Sequence, residues 1–227
     1  MHKLVSEFDF KLTREDVLKG QGIDPARASN RLYESAESVL EEAHSLLEPA
    51  ALYAVTRVTE FNHQSIKFEG GTFEGPLVAK AMAGAEHLNI AACTIGKALE
   101  DTVEKLMSEN PIKAVALDGA GIAAIRKVSQ TVEDIISKEA CEIETSLGMR
   151  AQPGQEGWPI EQQRELFSIL PGDEIGIRLT ESCLMIPRKS VSFVIPRGKG
   201  LSSSVVPCDF CSKRNRCEWR KDKQQAG

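Results

Sequence analysis

The chain has 227 residues, of which 41% are hydrophobic and 27% charged, with a formal net charge of -5. This is the composition of a globular protein with a real core; it excludes a fibre, a low-complexity chain and a small disulfide scaffold, and disfavours a general nucleic-acid binder. No apolar run approaches the ~20 residues a membrane helix needs, and Glu7, Asp9, Glu15 and Asp16 stand where an export signal would be apolar, so a cytoplasmic protein is expected.

Taken in chain order, Thr13 is placed to cap a short helix whose first turn holds Glu15 and Asp16. Leu32, Ala36, Val39, Leu40, Ala43, Leu46 and Leu47 recur at helical spacing and predict one helix ended by Pro49. Residues 54–66 mix Val55, Val58, Phe61 and Ile66 with polar neighbours and read as a half-buried strand, followed by a tight turn at Glu69-Gly70-Gly71-Thr72. Leu88 to Cys93 predicts a strand, with Thr94 as the cap of a helix through Leu99, Val103 and Leu106 that Asn110-Pro111 closes.

A long helix follows over about 112–139, with Val115, Ile122, Val128, Val132, Ile135 and Ile136 near one side. Its Gly119 and Gly121 each cost about 1 kcal/mol relative to Ala, an expense expected to be offset by close helix-on-sheet packing. There is no GxGxxG and no GKS or GKT, so neither a dinucleotide fingerprint nor a phosphate loop is present. Arg150 to Pro159 is a Gly- and Pro-rich loop too long for a minimal turn; Pro159 then opens a helix lined by Ile160, Gln163, Leu166, Phe167 and Leu170, which Pro171-Gly172-Asp173 breaks. Residues 174–182 and 190–196 are β-branched, strand-like runs. Together these elements predict an α+β domain over residues 1–200, with a central antiparallel or mixed sheet flanked by helices, and a separate tail over 201–227.

That tail is basic. From Arg188 onward there are ten Lys and Arg against three Asp and Glu, a net of +7, while residues 1–187 carry 18 against 30, a net of -12; the excess fits either a solvated tail or a docking patch for an acidic partner. Lys213, Arg214, Arg216, Arg220, Lys221 and Lys223 cluster there almost without the aromatic residues that stack on bases, which makes nucleic acid an unlikely partner. Cys93, Cys141 and Cys183 stand singly in apolar or strand-like surroundings and read as buried, inert thiols. Cys208, Cys211 and Cys217 instead form a clustered x2, x5 pattern that can reach one metal. A structural zinc site or an iron-sulfur cluster takes four ligands, so either Cys93, Cys141 or Cys183 supplies the fourth or the site stays open, and free or redox-active thiols are the alternative. The four histidines lack HExxH spacing, and sequence alone selects no catalytic residue.

The C-terminal third carries in order Arg150-Ala151-Gln152-Pro153-Gly154, then Pro159, then Leu179-Thr180-Glu181-Ser182, Pro187 and Ser190-Val191-Ser192, within residues 150–195. This order resembles the reactivation domain of cobalamin-dependent methionine synthase. Cys93-Thr94-Ile95-Gly96-Lys97-Ala98-Leu99-Glu100 and Leu117-Asp118-Gly119 are similar to free-standing versions found beside corrinoid methyltransferases. The resemblance implies a C-shaped α+β fold and a role in rescuing cob(II)alamin, carried by a partner methyltransferase or core methionine synthase, with S-adenosylmethionine as methyl donor and a further protein as electron donor.

It also implies that Arg150, Gln152, Pro153, Gly154, Gln155 and Glu181 bind S-adenosylmethionine. Arg150 suits the carboxylate, Gly154 lets a ligand approach the main chain, and Glu181 suits the sulfonium or amino group. Gln155 departs from the family, which has Tyr there, and Trp158 is the nearest aromatic able to replace it. The alternative is a non-catalytic metal-binding or docking module for a corrinoid protein, with a vestigial ligand loop.

Overall fold

The computed structural model of the protein describes residues 1–201. In chain order its elements are β1 (His2–Val5), α1 (Arg14–Gly20), α2 (Asn30–Glu37), α3 (Leu40–Leu46), β2 (Ala50–Phe61), β3 (Ser65–Phe68), β4 (Gly71–Glu74), α4 (Pro76–Ala81), β5 (His87–Thr94), α5 (Ala98–Glu109), α6 (Pro111–Glu142), β6 (Ser146–Leu147), α7 (Gln163–Ile169), β7 (Arg178–Leu179), β8 (Met185–Ile186) and β9 (Ser190–Gly198). Seven strands form a curled antiparallel sheet in the order β4-β3-β2-β5-β9-β6, with β1 also paired to β2, while β7 and β8 make a separate hairpin. The expected α+β architecture is present, and every pairing in it is antiparallel.

The sheet separates two cores, because successive side chains on a strand point to opposite faces. Ala51, Tyr53, Ala91, Cys93, Phe193 and Ile195 face α6, together with α1, α3 and α5. Leu52, Ile90, Ala92 and Val194 face the opposite way, onto Phe73, Trp158, Leu166 and α4.

Helix α6 lies close to its neighbours because its buried side is mostly small: Val128, Val132 and Ile136 are buried as expected, but Ala114, Ala116, Ala120, Ala123 and Ala124 make up the rest of the contact and Val115 is exposed. Gly119 packs on α1, so the contact is helix on helix rather than helix on sheet. A Cβ on Gly119 would come within 2.8 Å of the Val17 carbonyl oxygen and 3.2 Å of the Gln21 amide nitrogen, and one on Gly20 would overlap the Gly119 carbonyl.

Several local expectations hold and others are corrected. Thr13 and Asp16 form a reciprocal capping box on α1. Asn110 accepts from the Lys113 amide and so starts α6 as it ends α5. The single helix expected over Leu32 to Leu47 is two, because the chain turns at Ser38 and Val39, where the Ser38 hydroxyl donates to the Ser35 carbonyl at 2.8 Å. The single strand expected over 54–66 is a hairpin, because the Asn62 side chain accepts from the amides of Gln64 and Ser65 and turns the chain. Thr94 does not cap α5: it ends β5, accepts from Gly96, and pairs with Ser190 across the sheet. The run 174–182 is mostly not strand, since Gly172–Ile175 forms a 3-10 turn stopped by Gly176 at φ 71°.

Gly119→Ala is expected to destabilise the protein by about 1–3 kcal/mol through overpacking, despite the helix propensity gained; the check is the urea midpoint. Val115→Ala, on the exposed side of the same helix, is expected to change stability by less than about 0.5 kcal/mol.

Candidate functional site

Beyond β6 the chain continues along the free edge of β9. Gly148 donates to the Pro196 carbonyl, and Ala151 and Val194 exchange two backbone hydrogen bonds at 3.0 and 2.8 Å. Strand alternation then decides where each side chain goes: Met149 and Ala151 enter the core opposite α6, and Arg150 lies on the α6 face. Its guanidinium is ion-paired through Nη1 to Oε1 of Glu133 on α6 and lies 4.0 Å from the centre of the Phe193 ring. The two charged side chains keep 24% and 22% of their exposure, so the pair is reachable from solvent. One donor is used and the guanidinium makes no other hydrogen bond among the described residues, which leaves N–H groups for an incoming carboxylate.

After Arg150 the loop closes on itself. Pro153 is buried, Gly154 is exposed at φ 87°, and the Gly154 amide donates to the Trp158 carbonyl at 2.8 Å. Gln155 turns inward, its Oε1 accepting from the Gln152 amide at 3.0 Å, so it covers nothing outside the loop. Trp158 does not replace the family's aromatic. It is 1% exposed and packs edge-on against Phe73 at 5.1 Å, because the loop carries it into the core opposite α6.

Glu181 stands apart from these residues. It is exposed in the turn between β7 and β8, and its carbonyl accepts from Arg164 of α7 at 2.7 Å. No hydrogen bond or ion pair joins it to residues 150–155 among the described residues. Cys208, Cys211 and Cys217 lie outside the described residues. Within them no group of His, Cys, Asp and Glu is arranged to hold a metal ion, and no helix is long and apolar enough to cross a membrane. Of the three thiols considered as a fourth ligand, Cys93 and Cys183 are buried and Cys141 is exposed.

Two partners of Arg150 were not evident beforehand. Glu133 is one of many acids on a long helix, and Phe193 is one apolar residue in a strand; only the edge pairing of Ala151 brings either to Arg150. Cys93 lies on the same face, and burial pushes its thiol up to about 12, with Arg150 pulling down and Glu133 pushing up. Further along, Glu139 accepts from Tyr53 at 2.7 Å and Lys3 at 2.6 Å. Desolvation pushes its carboxyl up, but these hydrogen bonds outweigh it and hold Glu139 below the usual carboxylate range.

No family model matches the sequence, and no curated protein does. Among solved structures, the crystal structure of the MetH reactivation domain bound to AdoHcy superposes with a TM-score of 0.60. The match covers 86% of this chain and 78% of that one, at 15% sequence identity. The chain shares the fold of that domain. Identity this low speaks for fold alone, so the resemblance of the loop wording and the likeness of the folds are separate observations that agree.

Alkylation of the native protein at about pH 8, followed by peptide mapping, is expected to modify Cys141 and leave Cys93 protected until denaturant is added. Because the Glu139 carboxyl is depressed on folding, its contribution is present above the unfolded value and lost as pH falls through the folded one. Glu139→Gln is therefore expected to cost about 1 kcal/mol at neutral pH, with the gap to wild type narrowing in acid denaturation profiles below the ordinary carboxylate value of 4.5.

Proposed function

We propose that the protein is a free-standing reactivation-type partner of a cobalamin-dependent methionine synthase or other corrinoid methyltransferase, acting in the cytoplasm. The observation that carries this reading is the placement of Arg150. In a fold shared with the MetH reactivation domain bound to AdoHcy, the Arg of the Arg-x-x-Pro-Gly motif sits at the sheet edge, half-buried, with donors to spare.

In this reading Arg150 receives the ligand carboxylate, oriented by Glu133 and by the Phe193 ring beneath it. Glu133 takes one N–H and keeps the fork fixed, leaving the other N–H groups unused. The exposed main chain at Gly154, between Gln152, Pro153 and Gln155, lets a ligand lie against the backbone without side-chain bulk. Glu181 supplies negative charge toward the cationic end of the ligand. S-adenosylmethionine, when bound, supplies an electrophilic methyl group, while the partner carries the cobalamin and an electron-donor protein provides the reducing electron. Cys208, Cys211 and Cys217 are assigned to an iron-sulfur cluster or zinc, which iron and zinc analysis of protein purified without oxygen tests directly.

A second reading is favoured by Gln155. With its side chain folded onto Gln152 and the family's Tyr missing from that position, the protein serves in this reading as a docking or metal-binding module that no longer takes S-adenosylmethionine. Removal of residues 205–227 separates the two: loss of partner capture with unchanged cobalamin reduction supports docking, and loss of reduction supports a redox centre.

Calorimetric titration of S-adenosylmethionine, with and without cobalamin, is expected to give saturable binding to the wild type. Arg150→Ala is expected to weaken it at least about tenfold, the equivalent of about 1.4 kcal/mol. Absence of binding in both conditions overturns the ligand assignment and leaves the docking reading.

A further inference from the structure

We propose that the end of the sheet beyond α6 binds a phosphate group, held by Arg57, His87 and Arg197. The printed registers align these three directly across adjacent strands: Arg57 of β2 opposes His87 of β5, which opposes Arg197 of β9. All three fall on the α6 face, since they are in step with Tyr53, Ala91 and Phe193, which pack in that core. Leu147 of β6 continues the row at the sheet edge. The site is distinct from Arg150 and does not depend on the S-adenosylmethionine reading.

Arg57 and Arg197 each oppose His87 rather than one another, so the row sets a guanidinium on either side of an imidazole and concentrates positive charge at this end of the sheet. None of the three side chains forms an ion pair among the described residues. Glu139 is coupled electrostatically to Arg197 without an ion pair, and its carboxylate already receives Lys3 and Tyr53. Glu86, the chain neighbour of His87, points to the other face, where it accepts from the Lys199 amide. Glu142 and Glu144, at the end of α6, are exposed and make no ion pair with the row.

Two buried polar atoms strengthen the assignment. Arg197 Nε is inaccessible and has no acceptor, and Asn89, one row inward on the same face and 1% exposed, leaves its Oδ1 without a donor. The Asn89 Nδ2 group is fixed by the Ile195 carbonyl at 3.0 Å, so the free oxygen has a set direction. An unmet donor and an unmet acceptor on adjacent rows of one face suit a ligand that presents an anion next to a hydroxyl or N–H, as a phosphate ester of a sugar or nucleoside does.

The geometry favours phosphate over carboxylate. Neighbouring strands are about 4.8 Å apart, so Arg57 and Arg197 rise from positions about 10 Å apart with His87 between them. Two long side chains and the imidazole between them each offer a donor to one anion seated over the row. A tetrahedral oxyanion offers an oxygen to each, whereas a planar carboxylate is used up by one fork.

The test is calorimetric titration of inorganic phosphate, and separately of AMP, into the full chain, comparing wild type with Arg57→Gln, Arg197→Gln and Arg150→Ala. The expected result is saturable binding with a dissociation constant on the order of 1 mM or tighter. Either Arg57→Gln or Arg197→Gln should weaken it at least about tenfold, with Arg150→Ala unchanged. Tighter binding of AMP than of phosphate, lost in Asn89→Leu, supports the ester over the free ion. Because Arg57 is exposed, Arg57→Gln keeps the fold, and its melting curve verifies that. Absence of saturation with both probes, undiminished binding in both Gln variants, or loss confined to Arg150→Ala overturns the proposal.

Discussion

The pair of hydrogen bonds between Ala151 and Val194 governs the candidate site. They extend the sheet by one short edge segment, and an edge segment must obey the alternation of the strand it joins. Had the register slipped by one residue, Arg150 would enter the apolar core around Trp158, and Ala151 would face α6. The correct register sets Arg150 over Phe193 and within reach of Glu133, and releases the chain at Gln152 into a loop anchored by buried Pro153 and Trp158. The loop then needs few contacts of its own, because both its ends are fixed.

Helix α6 completes what the edge begins. Its small buried residues let it approach α1 and the sheet closely, and its charged residues clip it to the strands on either side. Glu133 reaches Arg150 next to β9, Asp118 reaches Lys189 just before β9 at 2.6 Å, and Glu139 reaches Lys3 of β1 and Tyr53 of β2. Each pair is partly exposed, so none supplies much stability alone. Their joint effect is geometric: a 32-residue helix is held at several points along its length, and the side chains it offers to the sheet face are fixed relative to the strands.

Much of this was legible in the sequence where local chemistry acts alone. The Thr13 box, the Asn110-Pro111 boundary, the Gly70-Gly71 turn and the strands around Leu88 to Cys93 and Ser190 to Pro196 all stand where residue pattern puts them. Expectations failed where two local signals compete. Ser38 interrupts a helical run that its apolar neighbours would continue, and Asn62 folds a run that reads as one strand. At the site, sequence order marked Arg150 and its loop, but nothing local marks Glu133 or Phe193, which become partners only through a pairing between segments 43 residues apart. Trp158 shows the converse: its nearness to Gln155 in sequence suggests a shared surface, but the turn made by Gly154 and Gly157 sends it into the core.

Charge distribution adds a last constraint on what can meet this face. Residues 1–187 carry a net -12, so an anion approaching most of the surface is repelled. On the α6 face, however, β9 carries Phe193 beneath Arg150 and, four residues on, Arg197, a separation of about 13 Å along an extended strand. Cations that are partly buried in an otherwise acidic molecule are screened less by salt than surface ones, and their attraction acts at short range. Such a surface discriminates by fit more than by steering: an anion gains from it only after its own solvent is shed and the guanidinium donors are met. That requirement favours ligands with compact charged groups at defined spacing over extended polyanions.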